Sequence, residues 1–292
     1  MQNSGMQNLP LILDGRKVRD GIRARLQKEF AHQKVALAIV QVGANEASNA
    51  YITQKKKFGA ELGVRVVHAQ FSEDIAELAL IAEIKQLNTD ALVAGIIVQL
   101  PLPPHLNKQN VQNAVALAED VDGLAEGSAF TPATARAVSE LLDFYDIKVA
   151  GRRAVVLGRS RLAGGPIAAR LQSAGARVMV CHSQTTNTQE ITRAADIVVS
   201  AVGKPRFLGA SYFRNDRTQV VVDVGITVVT KRGAEKLEEE IPTRRPVGDV
   251  DFDAVAPLVA AISPVPGGVG PMTVACLFEN LWDAVYHGRY VG

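Results

Sequence analysis

The sequence lacks the features that mark several large classes of protein. It has only two cysteines, Cys181 and Cys276, far apart and outside any Cys-x-x-Cys spacing. This argues against a disulfide framework and a metal site, and it favours a reducing compartment. No apolar run approaches the roughly 18 residues that a membrane span needs, and Met1 to Pro10 lacks the pattern of a signal peptide. We therefore expect a cytoplasmic protein with no membrane partner.

The sequence also lacks a charge bias. Its 32 basic and 30 acidic residues give a net charge of +2, and there is no long basic run. We therefore expect the partner to be a small molecule and not a nucleic acid. Hydrophobic residues make up 47% and charged residues 21%, which is typical of globular chains and not of disordered ones. A length of 292 residues suits two domains.

Apolar runs alternate with helical patterns in the first half of the chain. The order is a strand at 35–43, a helix at about 46–62, a strand at 64–71, a helix at 73–88 and a strand at 92–99. This is a βαβαβ pattern. The last of these strands is apolar on both faces, which predicts a strand buried within a parallel sheet.

A second series of apolar runs begins near Gly151 and predicts a doubly wound nucleotide-binding sheet. We expect a helix after Pro166, a short helix near Gln189, and strands at 153–158, 177–181, 197–203, 219–225 and 247–251.

The predicted fold class is α/β with two domains and a cleft between them. Residues 1–145 form the N-terminal α/β catalytic domain, and residues 146–269 form a C-terminal Rossmann-type domain with a doubly wound parallel sheet. A final helix within 270–292 is expected to pack back onto the first domain.

The turn after the first strand of the second series runs from Gly158 to Pro166 and contains three glycines. Gly158 and Gly164 allow a close approach of the backbone to phosphate, and the following helix N-terminus can bind a pyrophosphate. The spacing differs from Gly-x-Gly-x-x-Gly, so a tight strand-to-helix turn without a ligand remains the alternative.

The next strand ends at His182 and Ser183, where an NAD-selective site places an acidic residue. The absence of this carboxylate favours NADP, because Arg159, Ser160 and Ser183 can hold a 2′-phosphate. His182 either contacts the cofactor or is a hydrogen-bonded surface residue.

Two aspartate-containing turns, 223–225 and 248–251, each close a predicted strand at the edge where ligands gather in such sheets. Aspartates that cap turns are the alternative interpretation for both.

Lys55 interrupts an apolar face of the first long helix. Tyr51, Lys55, Phe58 and Leu62 follow at helical spacing and share this face. Lys55 therefore either extends its ammonium to water or lies partly buried, where a lowered pKa would suit it to act as a base. Gln99 ends the buried strand and is expected to point towards a substrate, although it could instead cap the loop.

The sequence resembles the bifunctional methylenetetrahydrofolate dehydrogenase/methenyltetrahydrofolate cyclohydrolase family, known in bacteria as FolD. Ten ordered stretches carry the resemblance: ILDGRKV, VGANEASNAYITQKKK, GIIVQLPLP, EDVDG, GRSRLAGGP, VCHSQT, ADIVVSAVGKP, VVDVGI, GDVDF and SPVPGGVGPMT.

The resemblance implies NADP-dependent oxidation of 5,10-methylenetetrahydrofolate to the methenyl form and its hydrolysis to 10-formyltetrahydrofolate. It gives Lys55 the role of general base or proton shuttle and Gln99 that of its orienting partner. It makes Tyr51 an aromatic packing residue and Asp122 the anchor of the pterin. It also implies a homodimer.

The remaining site residues are implied by the same resemblance. Those assigned to the cofactor are Gly158, Arg159, Ser160, Gly164, His182, Ser183, Gly225 and Ile226. Those assigned to the folate, besides Tyr51, Gln99 and Asp122, are Leu100, Pro101 and, in the closing loop 264–273, Pro266, Gly267 and Gly268.

Two stretches depart from the family pattern. Only residues 124–130 separate Gly123 from Thr131, where the family has a longer Phe-His-Pro-containing segment. The family's Gly-Lys-Pro also appears as Gly-Gly-Pro at 164–166, which removes a positive charge near the phosphates. The first departure leaves open a dehydrogenase-only or substrate-shifted enzyme. A noncatalytic nucleotide-binding relative is the other alternative, and the joint presence of Lys55 and Asp122 with Tyr51 and Gln99 argues against it.

Overall fold

The computed structural model describes residues 9–230 and 244–288. Residues 1–8 of the predicted first domain and 289–292 of the predicted final helix lie outside this range. The strands are β1 Leu11–Ile12, β2 Ala36–Val42, β3 Arg65–Phe71, β4 Val93–Val98, β5 Arg153–Leu157, β6 Arg177–Cys181, β7 Ile197–Ser200, β8 Val220–Asp223, β9 Thr227–Thr230, β10 Arg244–Val247 and β11 Ala261–Ile262. The helices are α1 Gly15–Phe30, α2 Glu46–Leu62, α3 Glu77–Asn88, α4 Lys108–Asn113, α5 Ala133–Phe144, α6 Gly164–Ser173, α7 Thr188–Ala194, α8 Phe252–Val255 and α9 Thr273–Gly288.

The chain forms two compact units that differ from a simple division into halves. One unit contains the chain up to Val18 and Ala137–Met272, and the other contains Arg19–Arg136 and the chain from Thr273. We call them the nucleotide unit and the catalytic unit, after the functions predicted for them. The domain boundaries predicted from the sequence, 1–145 and 146–269, stay a prediction.

The catalytic unit is built around a three-stranded parallel sheet in the order β3-β2-β4. Every residue of β2 is buried, because the strand lies at the centre of the sheet. Helix α9 packs against β4 and α2, where the rings of Phe58 and Phe278 lie 5.4 Å apart. The βαβαβ pattern predicted from the sequence is confirmed.

The nucleotide unit contains a six-stranded parallel sheet in the order β1-β11-β8-β7-β5-β6. The strand order reverses at β5, whose neighbours are β6 on one side and β7 on the other. In open α/β sheets, such a switch point is where ligands bind beyond the carboxyl ends of the strands. The predicted α/β class, with a doubly wound parallel sheet in the second part, is confirmed.

Helix α3 begins later than predicted, at Glu77 and not at Glu73. The residues in between form turns, in which the Ser72 hydroxyl donates to the Asp74 carboxylate. Such side-chain hydrogen bonds favour turns over helix. Helix α6 begins earlier than predicted, at Gly164, because Pro166 is tolerated in a first turn, whose amides lack helical partners.

The strand predicted at 247–251 is wrong beyond its first residue. Val247 ends β10, which pairs antiparallel with β9, and Val250 makes only an isolated bridge with Leu208. The segment 248–251 is a loop because the carboxylate of Asp249 is buried and bonded to backbone amides. The strand that pairs with β8 on the side away from β7 is the two-residue β11, which the sequence analysis missed because two residues carry no periodicity.

Within 9–230 and 244–288, no helix combines the length and the apolar character that crossing a bilayer requires.

Candidate active site

Lys55 lies on α2 and makes its polar contact inside the catalytic unit. Its Nζ donates to Oε1 of Gln99 at 2.9 Å, and Nε2 of Gln99 donates to the carbonyl of Leu100 at 2.9 Å. The second hydrogen bond fixes the orientation of the amide, so that its oxygen faces the lysine. Of the two alternatives left open by the sequence, the structure has Lys55 partly buried and paired. Gln99 both holds the lysine and contacts the loop.

Helix α2 is positioned by caps at both ends. The side chain of Asn45 accepts from Ser48 N at 3.1 Å, and Gly63 closes the C-terminus with φ 76°. On the face that carries Lys55, Phe58 and Leu62 are buried, whereas Tyr51 is 48% exposed. The apolar face therefore becomes open to solvent towards its N-terminal end, where an aromatic ring is available to stack on a ligand.

Asp122 lies within electrostatic reach of Lys55. Burial raises the pKa of Asp122, and the positive charge of Lys55 opposes that rise, while Asp120 adds to it. Burial likewise lowers the pKa of Lys55, and the charge of Asp122 opposes that change. The structure therefore brings together a lysine, a carboxylate and an orienting amide, as a proton-transfer site requires.

The short segment after Asp122 forms a closed turn. Gly123 has φ 69°, and a Cβ at this position would lie 2.5 Å from the carbonyl oxygen of Phe130. The buried carboxylate of Asp120 accepts from Ala125 N at 2.9 Å. The sequence analysis missed Asp120, because an aspartate two residues before Asp122 looks like an ordinary turn residue until its burial is known.

The glycines after β5 form a tight strand-to-helix turn. Gly158 has φ 109°, and a Cβ on it would lie 2.3 Å from the carbonyl oxygen of Ala201, beyond the end of β7. A Cβ on Gly164 would lie 2.2 Å from the carbonyl oxygen of Gly158. At the start of α6, the N-cap residue Ala163 makes no side-chain hydrogen bond. The N-terminus of α6 therefore lies at the switch point of the sheet, and the N-cap side chain does not cap it. An anion that binds at a helix N-terminus requires this position to be uncapped.

The side chains predicted to recognise the 2′-phosphate are available at the surface. Arg159, Ser160 and Ser183 are all exposed. The half-buried His182 is part of a local turn, because its Nδ1 accepts from Gln184 N at 3.3 Å and its own amide donates to Thr185 Oγ1 at 3.0 Å. The hydrogen bonds of His182 are thus observed, and its contact with the cofactor stays a prediction.

The two aspartate-containing turns meet as a buried structural centre. Asp223 accepts from the amides of Gly225, Asp249 and Val250 at 3.0, 3.1 and 2.8 Å. Asp249 accepts from Ser200 Oγ and from the amides of 202–204. Both carboxylates cap turns, which is the alternative interpretation that the sequence left open. Burial raises the pKa of Asp223 to about 7, against 3.8 for an ordinary aspartate.

Gly225 and Ile226 follow this centre and differ in exposure. Gly225 is buried, and a Cβ on it would lie 2.2 Å from Oδ1 of Asp249. Ile226 is 47% exposed, so its side chain is available to a ligand.

The loop predicted to close on the folate is held by the start of the chain's first helix. Gly15 N donates to the carbonyl of Gly267 at 2.9 Å, and a Cβ on Gly15 would lie 1.9 Å from the carbonyl oxygen of Gly268. Gly267 has φ 120°, which only glycine adopts without strain. Pro266 is exposed, as is Pro101 in the catalytic unit, and Leu100 is half-buried.

In the described part of the chain, no three His, Cys, Asp or Glu side chains are grouped so as to hold a metal ion.

Family models match almost the whole chain. The catalytic domain of tetrahydrofolate dehydrogenase/cyclohydrolase matches residues 13–122, and the NAD(P)-binding domain of the same family matches residues 132–288. Residues 123–131 lie between the two matches, and they include the segment that is shorter than the family pattern.

Similar proteins agree with this assignment. A bifunctional protein FolD of Campylobacter concisus is 42% identical over 92% of this chain and 95% of its own length. The cytoplasmic C-1-tetrahydrofolate synthase of Schizosaccharomyces pombe is 38% identical over 96% of this chain, which spans only 31% of that relative.

A solved structure shows the same fold. The methylenetetrahydrofolate dehydrogenase-cyclohydrolase of Trypanosoma brucei, complexed with NADP cofactor and inhibitor, has a TM-score of 0.87 at 34% identity and covers 96% of this chain and 99% of its own. The family resemblance predicted from the sequence is confirmed, and the predicted second domain matches an NAD(P)-binding domain. This chain belongs to the tetrahydrofolate dehydrogenase/cyclohydrolase family.

Proposed function

We propose that this chain oxidises 5,10-methylenetetrahydrofolate with NADP and hydrolyses the resulting 5,10-methenyltetrahydrofolate to 10-formyltetrahydrofolate. The observation that carries the proposal is the hydrogen bond from Lys55 Nζ to Gln99 Oε1, together with the charge of Asp122 acting on the same lysine. These groups belong to the part of the chain that matches the family's catalytic domain.

Lys55 is the base for the hydrolysis. Burial lowers its pKa, which increases the fraction of neutral amine near neutral pH. Gln99 accepts one hydrogen from Nζ and so directs the lone pair of the neutral amine away from itself. The amine takes a proton from the water that attacks the methenyl carbon, and the new C–O bond is followed by cleavage of one ring C–N bond. The lysine then returns the proton to the departing nitrogen, and the hydroxyl group on the same carbon loses its own proton to water as the formyl C=O forms.

Asp122 binds the pterin. An ionised carboxylate accepts two N–H donors side by side, and the pterin ring offers such donors on its amidine edge. The positive charge of Lys55 favours the ionised form of Asp122 against the effect of burial. In this pair, Asp122 therefore supports binding of the pterin and Lys55 supports proton transfer.

The residues of the nucleotide unit fit a dinucleotide. The glycine turn at 158–164 and the start of α6 would hold the pyrophosphate, and Arg159, Ser160 and Ser183 would hold the 2′-phosphate. When bound, the nicotinamide supplies the hydride acceptor for the methylene carbon. This chain's own contribution to that step is mainly the positioning of the two reactants.

NADP is preferred over NAD, since β6 is followed by Ser183 where an NAD site has a carboxylate. Arg159→Ala should raise the KM for NADP more than that for NAD, because only NADP carries the additional phosphate. Steady-state kinetics with both cofactors test this. An equal effect on the two KM values would place Arg159 away from the phosphate.

A dehydrogenase-only enzyme is the second candidate, because residues 124–130 replace a longer family segment. The closed turn around Gly123, with Asp120 bonded to Ala125, argues that the shortening leaves Asp122 anchored. In the second candidate, methenyltetrahydrofolate would accumulate and decay at the uncatalysed rate.

One assay tests both candidates. The purified chain is incubated with 5,10-methylenetetrahydrofolate and either NADP or NAD, while methenyl absorbance and formyl product are followed together. We expect NADPH formation and methenyl decay above background. NADPH without catalysed decay would favour the second candidate, and the absence of both activities would contradict the proposed function.

The family resemblance also supports a homodimer, which sedimentation velocity at micromolar concentration tests directly. A cytoplasmic location is supported by two buried free cysteines, which suit a reducing compartment. The relatives include proteins named for the cytoplasm, the mitochondrion and the chloroplast. Fractionation of the source cells is therefore the measurement that decides the location.

A further inference from the structure

Asn280 is a buried amide on α9 whose hydrogen bonds all lie inside the catalytic unit. Its Nδ2 donates to the carbonyl oxygens of Val121 and Thr131, both at 2.8 Å. Its Oδ1 accepts from Nη1 of Arg136 at 2.8 Å. Both donor hydrogens and the acceptor are therefore used, and only this orientation of the amide satisfies all three partners.

The two carbonyls that Asn280 holds stand at the two ends of one segment. Val121 precedes Asp122, and Thr131 ends the short stretch that returns to the same place. The ends lie close together, since a Cβ on Gly123 would lie 2.5 Å from the carbonyl oxygen of Phe130. A single side chain thus closes the loop that begins with Asp122.

Packing restricts Val121 further. A Cβ on Gly95 of β4 would lie 2.8 Å from Cγ1 of Val121 and 2.7 Å from Cδ1 of Leu281. Only glycine at position 95 allows the valine to approach the strand so closely. The residue before Asp122 is consequently fixed through its side chain by the sheet and through its carbonyl by α9.

Arg136 orients the amide of Asn280. Besides its bond to Asn280, its Nε donates to the buried carboxylate of Glu279 at 3.2 Å, and Nη1 contacts Asp283. Arg25 forms a second ion pair with Glu279. Removing one member of such a buried network leaves an uncompensated charge, so the network holds Arg136 in one geometry.

We propose that Asn280 is a positioning residue for Asp122, which it holds in place by closing both ends of the 122–131 segment. This inference rests on the proposed function, in which Asp122 binds the pterin beside Lys55. Asn280 lies 158 positions along the chain from Asp122, and neither its spacing nor its residue type distinguishes it from an ordinary helix residue in the sequence.

The test measures the titration of Lys55, because Asp122 acts on it through space. The rate at which acetic anhydride labels Lys55 is measured by mass spectrometry as a function of pH. Asp122→Asn should lower the apparent pKa of Lys55 by removing a negative charge. Asn280→Ala should change it in the same direction, and labelling below the pKa should rise about threefold for a decrease of half a unit.

A double mutant separates positioning from general destabilisation. If Asn280 acts through Asp122, Asn280→Ala should have no further effect on the Lys55 titration in the Asp122→Asn background. Asn88→Ala is the matched control, because the side chain of Asn88 likewise bonds two backbone groups of the catalytic unit, the carbonyl of Ala114 and the amide of Ala116, and both lie outside the 121–131 segment. It should leave the Lys55 titration at its wild-type position.

Kinetics provide the second readout. Asn280→Ala should raise the KM for methylenetetrahydrofolate several-fold and leave the KM for NADP unchanged. Asn280→Ser, whose hydroxyl keeps one donor, covers the case in which the alanine variant does not fold, and it should show a smaller shift in the same direction. A Lys55 titration unaffected by both variants, or shifted equally by Asn88→Ala, overturns the inference. An inactive wild type would contradict the proposed function and leave the labelling result valid.

Discussion

Asp122 in the catalytic unit and Asp223 in the nucleotide unit are two carboxylates whose pKa values are raised by burial, yet their partners differ. Asp223 accepts from three backbone amides within 3.1 Å and has Asp249 as its charged neighbour. Asp122 has the ammonium of Lys55 acting on it, and Lys55 is in turn bonded to the side chain of Gln99.

Asp223 is a carboxylate that holds loops together, whereas Asp122 is the carboxylate for which we propose a role in binding. A perturbed pKa alone marks both residues, since ion-pair and turn-capping networks perturb titration as well as active sites do. The partners distinguish them. A carboxylate that accepts from amides of its own loops holds those loops together, whereas a carboxylate beside a titratable side chain can serve binding and proton transfer.

The largest effect is expected from Lys55→Met, which retains the apolar stem and removes the amine. Methenyl hydrolysis should fall by roughly 100-fold or more, as expected for the loss of a general base. Hydride transfer needs no base at this position, so NADPH formation should decrease much less. The two rates are measured in the same reaction, and methenyl decay is corrected for the uncatalysed rate.

Two outcomes would contradict the role proposed for Lys55. Wild-type hydrolysis in the Lys55→Met variant would show that another group activates the water. Equal losses in both activities would show that Lys55 serves binding, and the pair with Asp122 would then be one anchor for the substrate.

A smaller effect on catalysis is expected from Asp122→Ala, and it should reach both activities. A pterin that loses a charge-assisted hydrogen bond loses about 1.5–3 kcal/mol, or roughly 10- to 100-fold in kcat/KM. The KM for NADP should stay at its wild-type value. Unchanged folate affinity, measured by equilibrium titration of the protein with tetrahydrofolate, would mean that the shortened segment has moved Asp122 away from the substrate.

Sequence reasoning selected Lys55 and Gln99, which the structure joins by a hydrogen bond, as candidate site residues. Helical spacing places Lys55 on the face that carries Phe58 and Leu62, and Gln99 ends a strand that is apolar on both faces. Both features are local. The same reasoning predicted the alternation of strands and helices, since each element carries its own period.

Distant contacts could not be predicted in this way. The sequence left Asp223 open between ligand contact and turn capping, because the distinction depends on Val250 and Asp249, which lie 27 and 26 residues further along. Asn280 and the two-residue strand β11 were missed for the same reason. The importance of both depends on partners in other secondary-structure elements, and the residue spacing within one element does not predict such partners.

The smallest effect on catalysis is expected from Asp223→Asn, whose main consequence is for stability. An asparagine presents an NH₂ group where an oxygen accepted a backbone amide, and a buried donor left without a partner costs about 1–3 kcal/mol. The KM for the folate should be unchanged, because Asp223 contributes only to the nucleotide unit's loops. A rise in that KM would show that Asp223, like Asp122, affects folate binding.

The pH dependence of stability sharpens this prediction. Burial raises the pKa of Asp223 to about 7 in the folded protein, against 3.8 for an ordinary aspartate such as that of an unfolded chain. Between these values the native state binds more protons than the unfolded state, so the contribution of Asp223 to the free energy of unfolding falls as the pH rises. Asparagine does not titrate, and the variant should therefore lose this component. Urea unfolding of both proteins between pH 4.5 and 7.5 measures it, and parallel curves would show that Asp223 is already ionised across this range.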